Sequence, residues 1–241
     1  MDFFETISLK QVFMLTEDNI LHLPAFLGAQ QLQLLDQLLE QAPFVDGRTT
    51  ASDAAKLVKN NLQVDMNDRT VMPQLQQLVG MPLVSNPLLQ DAVMPYRVYP
   101  ILFSKYGAGM RYGWHVDSPA MGNPPVRTDM AMTLFLSDPS SYEGGELVIR
   151  TASGERFFKP AKGDAVVYPC NYVHQVSEVK SGERRAAVTW MQSAVRSAEK
   201  RRVLYDLKNA HALLTKKDPQ SEETQLVLQT WSNLMRMWTE I

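Results

Sequence analysis

Residues 130–151 read MAMTLFLSDPSSYEGGELVIRT. Two apolar runs are separated by Ser, Asp, Pro and Gly, the pattern of strands broken by turns. The pair Gly144-Gly145 suits a tight hairpin. The same texture extends outward on both sides. YRVYPILFSKY (96–106), ERFFKP (155–160), DAVVYP (164–169) and RAAVTWMQSAV (185–195) are short runs rich in Val, Ile, Phe, Tyr and Thr. Their spacing predicts an antiparallel sandwich or jelly roll.

Helical patterns flank this β region. DNILHLP (18–24) reads as a short strand ending at Pro24. In LGAQQLQLLDQLLEQA (27–42), Leu32, Leu35, Leu38 and Leu39 recur at helical spacing, and the helix should stop before Pro43. Residues 44–67 carry turn chemistry around Asp46-Gly47, and 70–80 suggest a second helix. From about 196 the pattern returns to helix, with Val203, Leu207 and Leu214 on one face. Asp218-Pro219 reads as the start of a last helix, with Glu222 and Glu223 near its positive end. Val227, Trp231, Leu234 and Trp238 form its apolar stripe. The expected division is an N-terminal region 1–95 packed on the core, a core 96–195, and a helical extension 196–241. That extension reads as a packed appendage, with homo-oligomerisation through its helices as the second reading.

Composition narrows the function classes. Of 241 residues, 24 are Lys or Arg and 26 Asp or Glu, so the net charge of −2 gives no reason to expect a nucleic-acid surface. The basic triplet Lys200-Arg201-Arg202, flanked by Glu199 and Asp206, reads as a solvated helix face. No run approaches the ~20 apolar residues that span a bilayer, and the N-terminus does not look like a signal peptide. Cys170 is the one cysteine, which rules out an internal disulfide and a Cys-x-x-Cys zinc site. A cytoplasmic location is expected, and Cys170 reads as a small packed residue.

The chemistry-bearing residues are few. His115 and Asp117 sit two apart in RYGWHVDSPA (111–120), so on a strand they point to one side. His174, beyond the run 163–169, is the third candidate. Two imidazoles and one carboxylate on one face of a metal leave the other face open, which suits iron(II) that must bind oxygen and a cosubstrate. His22 and His211 read as packed or half-exposed. In SGERRAAVTW (181–190), Arg184 begins a face otherwise made of Ala186, Val188 and Trp190, so it needs an anion. Either a carboxylate ligand or a surface pair with Glu178 or Glu183 would satisfy it.

GWHVD (113–117), GGEL (144–147), GDAVVYP (163–169) with His174 beyond it, and Arg184 ten positions later together resemble the iron(II)/2-oxoglutarate dioxygenases. FVDGRTTA (44–51), VKNNLQVD (58–65), the segment 127–149 and RMWTEI (236–241) resemble, more narrowly, the PKHD-type hydroxylases, relatives of prolyl hydroxylases. The likeness runs from about residue 18 to the C-terminus; the first ~17 residues look like an extension. The resemblance implies a mainly β fold, a double-stranded β-helix (jelly-roll) core with N-terminal and C-terminal helices. It implies His115, Asp117 and His174 as ligands of Fe(2+), and Arg184 with Tyr106 as the 2-oxoglutarate site. L-ascorbate (vitamin C) is a candidate alongside these cofactors. The implied reaction couples oxidative decarboxylation of 2-oxoglutarate to hydroxylation of a substrate, small molecule or protein residue, with a link to iron metabolism. Lys59, Asn60, Asn61, Arg127 and Asp129 flank the motif and are candidates for substrate contact. Two alternatives stay open: a cupin-like metalloenzyme that ignores 2-oxoglutarate, and a non-catalytic binding module.

Overall fold

The run Met130–Phe135 is buried at every position, because it lies inside a sheet covered on both faces. The computed structural model describes residues 15–51 and 53–241, the side chains of 53 and 54 aside. Most of the expected N-terminal extension, residues 1–14, therefore lies outside the described residues. The larger sheet has eight strands, all antiparallel. In order they are Leu21–Leu23, Ala165–Pro169, Met130–Phe135, Arg184–Ser193, Leu102–Tyr106, Leu62–Val64 and Phe44–Asp46, with Pro95–Val98 also pairing on Arg184–Ser193. The second sheet runs Gly154–Phe158, Leu147–Thr151, Val173–Val176, Arg111–His115 and Lys59–Asn60. This is the mainly β, jelly-roll architecture expected, with helices before and after it in the chain.

The side-chain period of two sorts the core. Met132, Leu134, Val167, Ala187 and Met191 face helices, meeting Leu35, Leu39, Leu75 and Val79. Their strand neighbours Ala131, Phe135, Val166, Tyr168 and Trp190 face the second sheet and meet Leu147 and Ile149. Leu35 and Leu75 are wholly buried, each contributing on the order of 2 kcal/mol.

Those helices are α1 (Ala29–Gln41) and α2 (Met72–Ser85). α1 opens with the Gln31 side chain reaching back to the Gly28 N–H at 3.0 Å. It stops before Pro43 as expected. At the start of α2 the Asp68 carboxylate accepts from the Val71 and Met72 N–H groups at 2.6 and 3.2 Å. α2 runs past the expected end at 80 and carries Pro82 within it, while Leu75, Val79 and Leu83 keep one buried face. A further helix, α3 (Pro87–Val93), was not legible as an apolar stripe. Its start signal was present: the Asn86 side chain accepts from Leu89 N–H at 3.0 Å, with Pro87 in the first turn.

Three local expectations are corrected. Gly144-Gly145 does not close a hairpin. Tyr142–Gly144 pairs with Val179–Gly182, whereas Leu147–Thr151 pairs with Gly154–Phe158 and Val173–Val176. The two glycines carry the chain from one pairing to the other through positive φ of 72° and 67°. A Cβ on Gly144 would fall 2.0 Å from the Glu178 carbonyl oxygen, so the crossing needs glycine for space as well as conformation. Second, the C-terminal helices are α4 (Ala198–Lys217) and α5 (Glu222–Trp238). Asp218 caps the end of α4, and Ser221 opens α5 by accepting from Thr224 N–H at 3.2 Å. Glu222 and Glu223 do occupy the first turn. Third, the buried face of α4 is Arg201, Leu204, Tyr205 and Asn209, and Val203 is exposed. The basic triplet is thus not a solvated face, for Arg201 is 5% exposed. The stripe Val227, Trp231, Leu234 and Trp238 is half-buried on a helix that packs against α4.

Candidate metal and cosubstrate site

His115 is the last residue of its strand and His174 the second of Val173–Val176. The two strands are antiparallel neighbours, and His174 lies directly opposite His115 in register. Their rings sit 4.2 Å apart between centroids. Asp117 lies beyond the strand end rather than on it, and Val116 between them is half-exposed. The carboxylate nonetheless turns inward: Asp117 Oδ2 is 3.8 Å from His174 Nε2. One ligand atom from each of His115, Asp117 and His174 lies within 4.8 Å of the others.

The backbone sets the tautomers. His115 Nδ1 is 2.8 Å from the Gly113 carbonyl oxygen and His174 Nδ1 is 3.0 Å from that of Tyr172. A carbonyl can only accept, so each Nδ1 carries a proton, and in the neutral ring that leaves the Nε2 lone pair for a metal. Burial, with His174 and Lys59 nearby, pulls the His115 pKa down to about 3, so its imidazole is neutral at physiological pH. Burial pushes the Asp117 carboxyl up, while His174, the Trp190 indole and Lys59 pull the other way. Asp117 Oδ2 is buried and has no hydrogen-bond partner. A divalent cation between these three side chains would satisfy it; the donor set fits iron(II).

The triad opens into a cavity of about 250 Å³ between the two sheets. Arg184 enters its wall from the larger sheet, opposite the sheet that carries both histidines. It is 1% exposed, packed over the rings of Tyr106 and Phe135 at 5.2 and 5.4 Å. The Tyr142 hydroxyl bonds to its guanidinium, yet Arg184 Nε and Nη2 have no partner. No carboxylate among the described residues comes within ion-pairing distance, Glu178 and Glu183 being engaged by Arg111 and Arg185. A Cβ on Gly145 would stand 3.0 Å from Arg184 Cδ, so the glycine crossing described above also makes room for the guanidinium. Tyr106 pairs with Arg184 in register, is 3% exposed, and lines the cavity. Tyr112 stacks on His115 at 3.6 Å, and Tyr168 meets His174 edge-on at 5.1 Å.

The remaining candidates divide. Lys59 is buried and lines the cavity. Asn61 is buried but does not line the cavity, and its amide is directed at the Tyr106 hydroxyl. A Cβ on Gly47 would collide with Asn61 Oδ1, so Gly47 is what admits that side chain. Asn60 points outward and is exposed. Arg127 and Asp129 form a two-pronged ion pair at 2.9 Å, and Asp129 also accepts from Ser193 N–H at 2.8 Å. Neither lines the cavity. Sequence reasoning missed the polar wall of Thr50, Gln63 and Ser104, which are joined by hydrogen bonds. Its one signal was Gln63 and Ser104, polar residues on short, largely apolar strands; Thr50, in the short helix Gly47–Thr50, gave none. Outside the cavity, His22 pairs with Asp164 at 2.8 Å, His211 contacts Thr215, and Cys170 is buried, its thiol pushed up by desolvation.

Residues 101–192 match the family model described as the 2OG-Fe(II) oxygenase superfamily. A PKHD-type hydroxylase of Rippkaea orientalis is 41% identical over 220 residues, covering 91% of this chain and 99% of the relative. One of Thioalkalivibrio sulfidiphilus is 43% identical over 224 residues, covering 92% of this chain and all of the relative. Among solved structures, a Pseudomonas putida prolyl-4-hydroxylase superposes with a TM-score of 0.54 at 18% identity, over 76% of this chain and 97% of that one. HygX of Streptomyces hygroscopicus, solved with nickel and 2-oxoglutarate, gives 0.53 at 12% identity over 76% and 86%. These two likenesses bear on the fold.

Proposed function

Because the chain belongs to the PKHD-type hydroxylases, enzymes of the Fe(II)/2-oxoglutarate-dependent dioxygenase superfamily, we propose that His115, Asp117 and His174 hold the iron and that Arg184 and Tyr106 hold 2-oxoglutarate. Bound iron(II) supplies the oxidation, coupling decarboxylation of 2-oxoglutarate to succinate and carbon dioxide with insertion of an oxygen atom from O2 into a substrate C–H bond. The protein's own part is geometric and electrostatic. The Gly113 and Tyr172 carbonyls fix both imidazoles with Nε2 free. Arg184 presents Nε–H and Nη2–H, the fork that matches one carboxylate edge. Tyr106 stands beside it as a hydroxyl donor, kept protonated because burial raises its pKa. Tyr168, Trp190 and Leu102 wall the cavity and limit water there.

The observation that carries the reading is the buried, half-unpartnered guanidinium of Arg184 in the same cavity as the triad. A metalloenzyme that ignores 2-oxoglutarate would leave this charge without an anion, at a cost of several kcal/mol. Proposed with it are a cytoplasmic location, L-ascorbate as an accessory reductant and a substrate tied to iron metabolism. No helix among the described residues is long and apolar enough to cross a membrane. Turnover of 2-oxoglutarate to succinate, measured with iron(II) and extracts from iron-replete and iron-starved cells, tests both parts. Succinate formation that needs iron supports the reaction, and stimulation by one extract alone supports the substrate link. Absence of succinate under all conditions contradicts the reading.

A further inference from the structure

The cavity wall holds a second buried cation that the reaction as described does not use. Lys59 is 7% exposed. Its Nζ donates to Thr50 Oγ1 at 3.1 Å and lies 5.3 Å from the centroid of the Tyr112 ring. An ammonium has three N–H donors, and that single bond is the only one its Nζ makes among the described residues. No carboxylate among them lies within ion-pairing distance; Asp46 and Asp117 act on it only through space. Burial lowers its pKa to about 8, so it is still mostly charged at neutral pH. Thr50 in turn donates to Gln63, and Gln63 to Ser104. The acceptors that could have neutralised Lys59 are thus neutral groups.

Charge matching then points outward. On the reading above, the two carboxylates of 2-oxoglutarate are taken by Arg184 at one end and by the metal at the other. Lys59 is left over, and a buried cation without an anion is costly. The cavity is small: about 250 Å³ lies below the ~300–1,000 Å³ of sites that enclose a drug-sized ligand, and it must also take the cosubstrate. A substrate can therefore insert only one group, its remainder lying across the rim. That rim carries Val116, 50% exposed, between the two ligands of the His-x-Asp pair.

We propose that the group inserted by the substrate bears a carboxylate that Lys59 receives, so the enzyme acts on an acidic small molecule or an acidic peptide side chain. The inference rests on the oxygenase reading, and the test separates the two. Anaerobic protein saturated with iron(II) and 2-oxoglutarate is titrated calorimetrically with two matched pairs. Hexanoate against hexanamide mimics a free acid. N-acetylglutamate methylamide against its glutamine counterpart mimics a side chain in a peptide. One charge-assisted hydrogen bond predicts a roughly tenfold preference for the acid in one pair, and the pair that shows it identifies the source. Lys59→Met should erase the preference, Lys59→Arg should retain it, and both should bind 2-oxoglutarate within about threefold of wild type. Equal affinity within both pairs, no binding of any of the four compounds, or a preference that survives in Lys59→Met overturns the proposal. So does a selective loss of 2-oxoglutarate affinity in Lys59→Met, which would make Lys59 a cosubstrate residue. If wild-type protein with iron fails to bind 2-oxoglutarate at all, the oxygenase reading falls first.

Discussion

Two arginines are buried almost equally, Arg184 at 1% and Arg201 at 5% exposure, and their surroundings are opposite. Arg201 ties α4 to the barrel. Its Nη1 donates to the carbonyls of Val195 and Arg196, both at 2.8 Å, and its Nη2 lies 3.2 Å from Met130 Sδ. Arg184 ends at a cavity with Nε and Nη2 unpartnered. The contrast extends to their neighbours: Arg127 and Asp129 satisfy each other near the helical junction, whereas Asp117 Oδ2, in the cavity wall, has no partner. Buried polar groups that end on protein are structural ties; those left open around a shared space form a receptor.

The largest expected effect is on the receptor side. His174→Ala or Asp117→Ala should take iron(II) from one per chain to none after anaerobic loading, with the far-ultraviolet circular dichroism unchanged. Retained stoichiometry would remove the triad from the comparison. Next come the two arginines themselves. Arg184→Met should weaken 2-oxoglutarate binding about 100-fold, the ~2–3 kcal/mol of a charge-assisted pair, and leave iron affinity intact. Arg201→Met should do the reverse, lowering unfolding free energy by about 1–3 kcal/mol as two carbonyls lose their donor, with cosubstrate affinity kept. A variant series in which both changes hit stability alone would break the distinction.

A smaller effect is expected from pH in the metal-free protein. The folded state keeps His115 neutral down to about pH 3, while an unfolded histidine protonates near ~6.5. Below that value the unfolded chain binds a proton that the folded one refuses, so stability falls with falling pH and is flat above it. The urea midpoint should drop between about pH 7.5 and 5, and His115→Gln should flatten the slope; identical slopes would contradict the burial argument. The smallest effect is a null one on the structural side. Cys170, 4% exposed with its pKa raised by burial, should not react with a disulfide reagent until denaturant is added.

Much of this was legible in the sequence for a physical reason. The strand texture, the His-x-Asp pair and the arginine opening an apolar face are local patterns, and local patterns survive in one dimension. The placement of His174 opposite His115 was not, because register between strands distant in sequence depends on the whole sheet. The Gly144-Gly145 pair has the composition of a hairpin turn and becomes a crossing between two pairings, a choice made by the partner strand Val179–Gly182. Arg201 read as solvated because its neighbours Lys200 and Arg202 are charged; burial followed from the helix rotation that packs Leu204 and Tyr205 inward. The Thr50–Gln63–Ser104 wall joins three segments and leaves almost no trace in any one of them.

Anaerobic titration of the purified protein with iron(II) and then 2-oxoglutarate addresses the central claim most directly. A keto acid chelating iron(II) gives a visible charge-transfer absorbance, which should appear only when both are present, saturate at one equivalent per chain, and require far more 2-oxoglutarate in Arg184→Met. Stoichiometric iron binding with a visible spectrum that 2-oxoglutarate leaves unchanged would contradict it.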